Sequence, residues 1–310
     1  MKSAISISAV NKQFGSKRAV QDLNLEIPEG ALYGVIGPNG AGKSTTLRMI
    51  LSILFPDSGS IRVLGHDSAL KAKDQIGYLP EERGVYKKMQ VLEFLQHMGI
   101  LKGLGRADAK AKALKWLDTV GLPDVQKKRC EELSKGMQQK IQFISAVIHD
   151  PELLILDEPF SGLDPVNMRL LRELVEAQHR KGTTILFSTH VMPQAEEMCD
   201  HIVMLHQGRK VLDNSLDEIK RQEVVREILF EPLHAESVVP AQLAAVPGID
   251  GVEGKDRSYR LKLVEGADLE QTVQALTRSV VPARLELVRP RLEDLFVSIV
   301  TGSGQTEESV

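Results

Sequence analysis

The chain has 310 residues, 42% of them hydrophobic and 26% charged, with a formal net charge of -3. That composition supports a core of ordinary size in about two domains of ~150 residues each, and it excludes the broadly basic surface of a general nucleic-acid binder. The two cysteines, Cys130 and Cys199, lie far apart with no CxxC spacing, which excludes a disulfide framework or a cysteine zinc site and suits a reducing compartment.

The N-terminal "MKSAISISAV" alternates apolar and polar residues, so it reads as a strand and not as a signal peptide. No apolar run approaches the roughly 18 residues of a membrane span. A soluble cytoplasmic protein is expected, with any membrane contact made through a partner. "AVQDLNLEI" continues the alternation, and "ALYGVIG" is a buried-looking strand running into glycines. A helix is expected from Lys43 to about Ser52, stopped by Pro56, with further strands at "SIRVLG" and "IGYLP". Between residues 91 and 149 the period becomes helical, in "VLEFLQHM", "AKAKALKWLDTVGL" and "MQQKIQFISAVI". Strand and helix then alternate again through "LLILD", a helix from about Pro165 to Lys181, "TTILFST" and "HIVML". This order predicts an α/β fold in which helices cover a parallel sheet, with 91–149 inserted as a helical subdomain.

A domain boundary is expected near Arg221, giving a first domain of residues 1–220. After it, "REILFEP", "VPAQLAAV", "GVEGKD", "SYRLKLV", "DLEQTVQAL" and "ARLELVRP" read as a small βαββαβ unit, an α+β ferredoxin-like domain over 221–302 that "RLEDLFVSIV" closes as a helix. The small, polar residues 303–310 are expected to be disordered.

"GPNGAGKST" fits GxxxxGK[ST] with every fixed position present, after a strand and opening a helix. Gly37, Gly40 and Gly42, with Pro38, Asn39 and Ala41 between them, let the backbone turn its N–H groups toward phosphate oxygens. Lys43 brings a cation to the β- and γ-phosphates, Ser44 is placed to ligate Mg²⁺, and Thr45 and Thr46 follow in the first turn. In "LLILDEP" four apolar residues make a buried strand, with Asp157 at its C-terminal end, where open parallel sheets place their ligands. Asp157 is the candidate for the magnesium shell and Glu158 for polarising the attacking water.

With these residues in this order, the chain resembles the ATP-binding cassette (ABC) ATPases from about residue 3 to 220. "LSKGM", Ser134 to Met137 with its leading leucine, stands where that family has the signature LSGGQ. Asp164 in "FSGLD" resembles the D-loop, and His190 in "FSTH" the switch histidine. Phe14 resembles the aromatic that stacks on adenine, although alone it would read as core. Glu81 in "YLPEERG" takes the place of the Q-loop glutamine, at the edge of the metal site. Asp164 is also suited to cap the helix that begins at Pro165. Lys135 and Met137 depart from the signature's glycine and glutamine; Lys135 either adds charge toward a phosphate or points to solvent.

"GYLPEERG", "LSKGMQQK" and "RPRLEDLF" together resemble bacterial or archaeal cassettes encoded apart from their permease, including sodium-extrusion and drug- or polysaccharide-export ATPases. The resemblance implies an ATPase that uses ATP and Mg²⁺. It implies a head-to-tail homodimer, with Ser134, Lys135, Gly136 and Met137 of one subunit covering the γ-phosphate held by the other. A separate transmembrane permease would hold the pair at the inner face of the cell membrane, for export, with no nucleic acid involved. A non-transport or regulatory ABC ATPase is the alternative. The C-terminal unit would strengthen dimerisation, bind a regulator or cap the fold.

Overall fold

The computed structural model describes residues 2–82, 84–222, 225–234, 240–255, 257–288 and 291–307. They form two compact units, Met1–Leu216 and Asp217–Val310.

The first unit opens with two long strands, β1 (Ser3–Phe14) and β2 (Lys17–Pro28), then β3 (Leu32–Ile36), α1 (Lys43–Ile50), β4 (Ser58–Val63) and β5 (Ile76–Leu79). A helical block follows, α2 (Val91–Leu101), α3 (Arg106–Thr119) and α4 (Lys135–Val147). The chain then runs through β6 (Leu153–Asp157), α5 (Pro165–Arg180), β7 (Thr184–Thr189), α6 (Met192–Met198), β8 (His201–His206), β9 (Arg209–Ser215) and α7 (Leu216–Gln222).

Two sheets result. β2-β1-β4 is antiparallel, because β1 and β2 alternate and can be joined by the tight turn at Gly15. The second has the order β5-β6-β7-β3-β8-β9. Its first five strands are parallel and only β9 is antiparallel. All residues of β3, β6 and β7 are buried, the expected consequence of near-continuous apolar runs covered on both faces. β9 was not apparent from hydrophobic pattern. It pairs back onto β8 through Gln207 and Gly208, both at positive φ, a hairpin turn whose first residue only weakly advertises the conformation. One core joins β1, β2 and α1 to the parallel sheet through Ile5, Leu23, Leu47, Ile50, Ile155 and Leu186.

The second unit comprises β10 (Glu227–Pro232), α8 (Pro240–Ala244), β11 (Ile249–Lys255), β12 (Ser258–Leu263), α9 (Leu269–Ser279), β13 (Pro282–Val288) and α10 (Leu292–Glu307). Its antiparallel sheet has the order β11-β12-β10-β13 and packs around Ile228, Phe230, Tyr259, Leu261 and Leu276. α10 continues through residues 303–307, where polar composition suggests disorder; the helix begun by the apolar "LEDLFVSIV" carries on past its last apolar residue. Residues 308–310 of that tail lie outside the described residues.

Candidate nucleotide site

The phosphate loop leaves the C-terminal end of β3 and enters α1. Gly37 has φ 148° and Gly42 has φ 106°, values that an L side chain rarely adopts. Space demands glycine as well: a Cβ on Gly37 would stand 2.2 Å from the Leu205 carbonyl oxygen, and one on Gly42 2.4 Å from that of Ala19. Gly42 precedes α1 without a side-chain cap, so the first N–H groups of the helix keep their donors for an anion. Thr46 Oγ1 donates to the Gly42 carbonyl at 2.9 Å and braces the turn.

Lys43 is only 6% exposed. Its Nζ donates to the Gly37 carbonyl at 2.8 Å and lies 3.5 Å from Glu158 Oε1. A buried ammonium held by neutral carbonyls and one carboxylate is poised to exchange them for a stronger anion. Ser44 Oγ donates to Asp157 Oδ1 at 3.2 Å, tying the loop to the end of β6. Asp157 is 1% exposed, and its Oδ2 has no hydrogen-bond partner among the described residues. Glu158 adopts φ 48°, a strained backbone for a residue of its type. Its Oε1 accepts from His190 Nδ1 at 3.0 Å, so the acid, the histidine and Lys43 are neighbours.

A cavity of about 310 Å³ brings Asn39, Gly40, Gly42, Lys43, Ser44 and Thr45 together with Phe14, Glu81 and Glu158. Phe14 is half exposed there, with Lys12 Nζ 5.5 Å from its ring centroid. It is therefore an open aromatic face at the rim and not a core residue. Among the described residues no three His, Cys, Asp or Glu side chains converge as a metal cage.

The signature stands apart from this cavity, at the start of α4. Ser134 caps α4, its Oγ accepting from the Met137 N–H at 3.3 Å. Lys135 is exposed, and Gly136 lies so close to α5 that a Cβ would meet Asn167 Nδ2 at 2.7 Å. Asp164 caps α5, accepting from the Val166 and Asn167 N–H groups at 3.1 and 3.0 Å. Those bonds, with the Asn167 side chain, hold its carboxyl below the usual range.

Two contributors escaped sequence reasoning. Ser188, on β7, donates from Oγ to Asp157 Oδ1 at 2.6 Å. Gln142, on α4, donates from Nε2 to the Glu82 carbonyl at 3.0 Å and, longer, to that of Pro80, gripping the backbone on both sides of Glu81. The available signal was a polar residue beside apolar ones, Ser188 after Ile185, Leu186 and Phe187, and Gln142 between Ile141 and Phe143.

A helix-opening glycine loop beside an acid pair at the C-terminal edge of a parallel sheet defines a P-loop nucleoside triphosphatase. Residues 20–161 match the model of the ABC transporter family. The chain is 42% identical to the uncharacterised ABC transporter ATP-binding protein YhaQ of Bacillus subtilis, over 96% of this chain and 98% of that protein. It is 31% identical to the bacitracin transport ATP-binding protein BcrA of Enterococcus faecalis, over 98% of each. A solved ATP-binding subunit of an ABC transporter superposes with a TM-score of 0.65 at 32% identity, over 71% of this chain and 92% of that one. The chain belongs to the ABC transporter ATP-binding proteins: it is an ATP-binding subunit and an ATPase. Subunits of this family work with a transmembrane permease, and among the described residues no helix is long and apolar enough to cross a membrane.

Proposed function

We propose that the chain powers export as a head-to-tail homodimer seated under a separate permease at the inner face of the cell membrane. Gly37 to Thr46 cradle the phosphates, Phe14 stacks on the base, Glu158 orients the attacking water, and His190 and Lys43 stabilise charge at the γ-phosphate. The contact of Glu158 with both His190 and Lys43 carries this assignment. The strained backbone at Glu158 is a cost of the kind that clusters at functional sites.

The donors also fit magnesium. Asp157 Oδ2 is buried and without a hydrogen-bond partner, and Ser44 Oγ lies beside the same carboxylate. Mg²⁺ is commonly held by one or two protein groups plus phosphates and water, so a full protein cage is not needed. Ser44 and Asp157 would hold it, with Glu81 at the margin, and when bound it neutralises charge on the β- and γ-phosphates.

Ser134 to Met137 lie away from the cavity of their own chain, which supports their use on the nucleotide of a second copy. The opening of α4 offers N–H donors, and Lys135 is exposed beside them. The name of the bacitracin-transport relative supports transport of a compound such as a drug. The first unit then acts as the cassette, with 91–149 as its helical part, and 221–302 as an accessory domain.

The test is size measurement with and without ATP. Glu158→Gln should accumulate an ATP-bound dimer that wild type only passes through, and a permanently monomeric Glu158→Gln chain would overturn the dimer.

A further inference from the structure

Ser188 lies opposite Asp157 in the parallel register of β6 and β7, so the two side chains emerge on the same face of the sheet. It is 0% exposed, and a hydroxyl buried so deeply must have partners. Its single proton goes to Asp157 Oδ1 at 2.6 Å, and its lone pair accepts the Glu158 N–H at 3.1 Å. The same N–H also reaches the Ser188 carbonyl at 3.2 Å. One residue therefore touches the carboxylate of the first acid and the backbone of the second.

The consequences are specific. Oδ1 of Asp157 takes donors from both Ser188 and Ser44, which fixes the plane of the carboxylate and leaves Oδ2 as its free oxygen. The grip on the Glu158 N–H is made where the backbone has φ 48°, the conformation that aims Oε1 at His190. We propose that Ser188 is a positioning residue: it leaves Asp157 Oδ2 free for a metal and holds Glu158 in register with His190. This rests on the magnesium reading given above. A satisfied core serine would have the same burial but no effect on metal.

Calorimetric titration with a non-hydrolysable ATP analogue, first with EDTA and then with Mg²⁺, separates the two. Wild type should gain affinity from Mg²⁺. Ser188→Ala should keep the EDTA affinity and lose about tenfold of the magnesium gain, the scale of one hydrogen bond to a charged group. Ser188→Cys, which adds modest bulk and weakens the donor, should lie between them, and it carries the test if the alanine variant does not fold. An undiminished magnesium gain in either variant, even with a lower melting temperature, overturns the proposal. A wild-type chain that gains nothing from Mg²⁺ overturns the magnesium reading first, and this inference with it.

Discussion

Glu158 Oε1 lies 3.0 Å from His190 Nδ1, across the ends of neighbouring strands β6 and β7. The acid is 8% exposed, whereas the histidine is much more open. The pair therefore joins a fixed carboxylate to a more open side chain. Glu158→Gln keeps the shape and removes the carboxylate. Hydrolysis should fall by about 10²–10⁴-fold, the range of a lost general base, while ATP affinity stays within a few fold. His190→Ala should lower turnover with little effect on binding. Steady-state phosphate release alongside equilibrium nucleotide binding checks both, and normal turnover in Glu158→Gln would remove Glu158 from the chemistry.

Gly42 should tolerate a methyl group far less well than Gly40, two residues before it in the loop. Alanine there meets both an unfavourable φ and the Ala19 carbonyl oxygen at 2.4 Å, whereas at Gly40, with φ 82°, the nearest atom is the movable Lys17 Nζ at 3.7 Å. Strain of this kind costs about 1–3 kcal/mol per site. Gly42→Ala should thus lower both the melting temperature and ATP affinity more than Gly40→Ala. Equal effects would mean that the clash with β2 is relieved without cost.

Stability should depend on pH through His149, which follows α4. Its Nε2 contacts the Ile76 carbonyl at 3.2 Å, and its Nδ1 is buried with no partner among the described residues. Burial, with Lys102 nearby, lowers its pKa from 6.5 to about 4. Between those values the unfolded chain binds the proton and the folded chain does not, so stability rises with pH across the window and is lost as pH falls through it. The contribution is on the order of 3 kcal/mol at most. Urea unfolding of wild type from pH 7 to 4 should show a steeper loss than His149→Gln, which keeps a donor for Ile76 and does not titrate.

Much of this was legible because short-range chemistry carried it. The phosphate loop could be read from spacing, since glycines at 37 and 42 are required by backbone geometry and not by the ligand alone. Apolar runs marked β3 and β6, and the helical period marked α2 to α4. Ser188 and Gln142 were less legible because their partners, Asp157 and the carbonyls around Glu81, are distant in sequence. Register and packing bring them together, and no local pattern encodes either. β9 was hidden for the same reason: its partner β8 is buried, but β9 itself is only half-buried and charged.

Gly136 offers a test that separates the nucleotide cavity from the proposed action of the signature on a second chain. A Cβ there would press on Asn167, whose side chain donates to Asp164, so a substitution is felt first at the start of α5. None of these residues lines the cavity holding Lys43 and Glu158. Gly136→Asp should therefore leave ATP binding by the isolated subunit within about twofold, while the added charge opposes the approach of a second nucleotide-bearing chain. ATP-dependent dimerisation and hydrolysis should both be lost. Asn167→Ala, which opens room beside Gly136 without adding charge, should retain more dimerisation than Gly136→Asp. If Gly136→Asp instead weakens ATP binding by the monomer, the signature acts within its own chain and the cross-subunit reading falls.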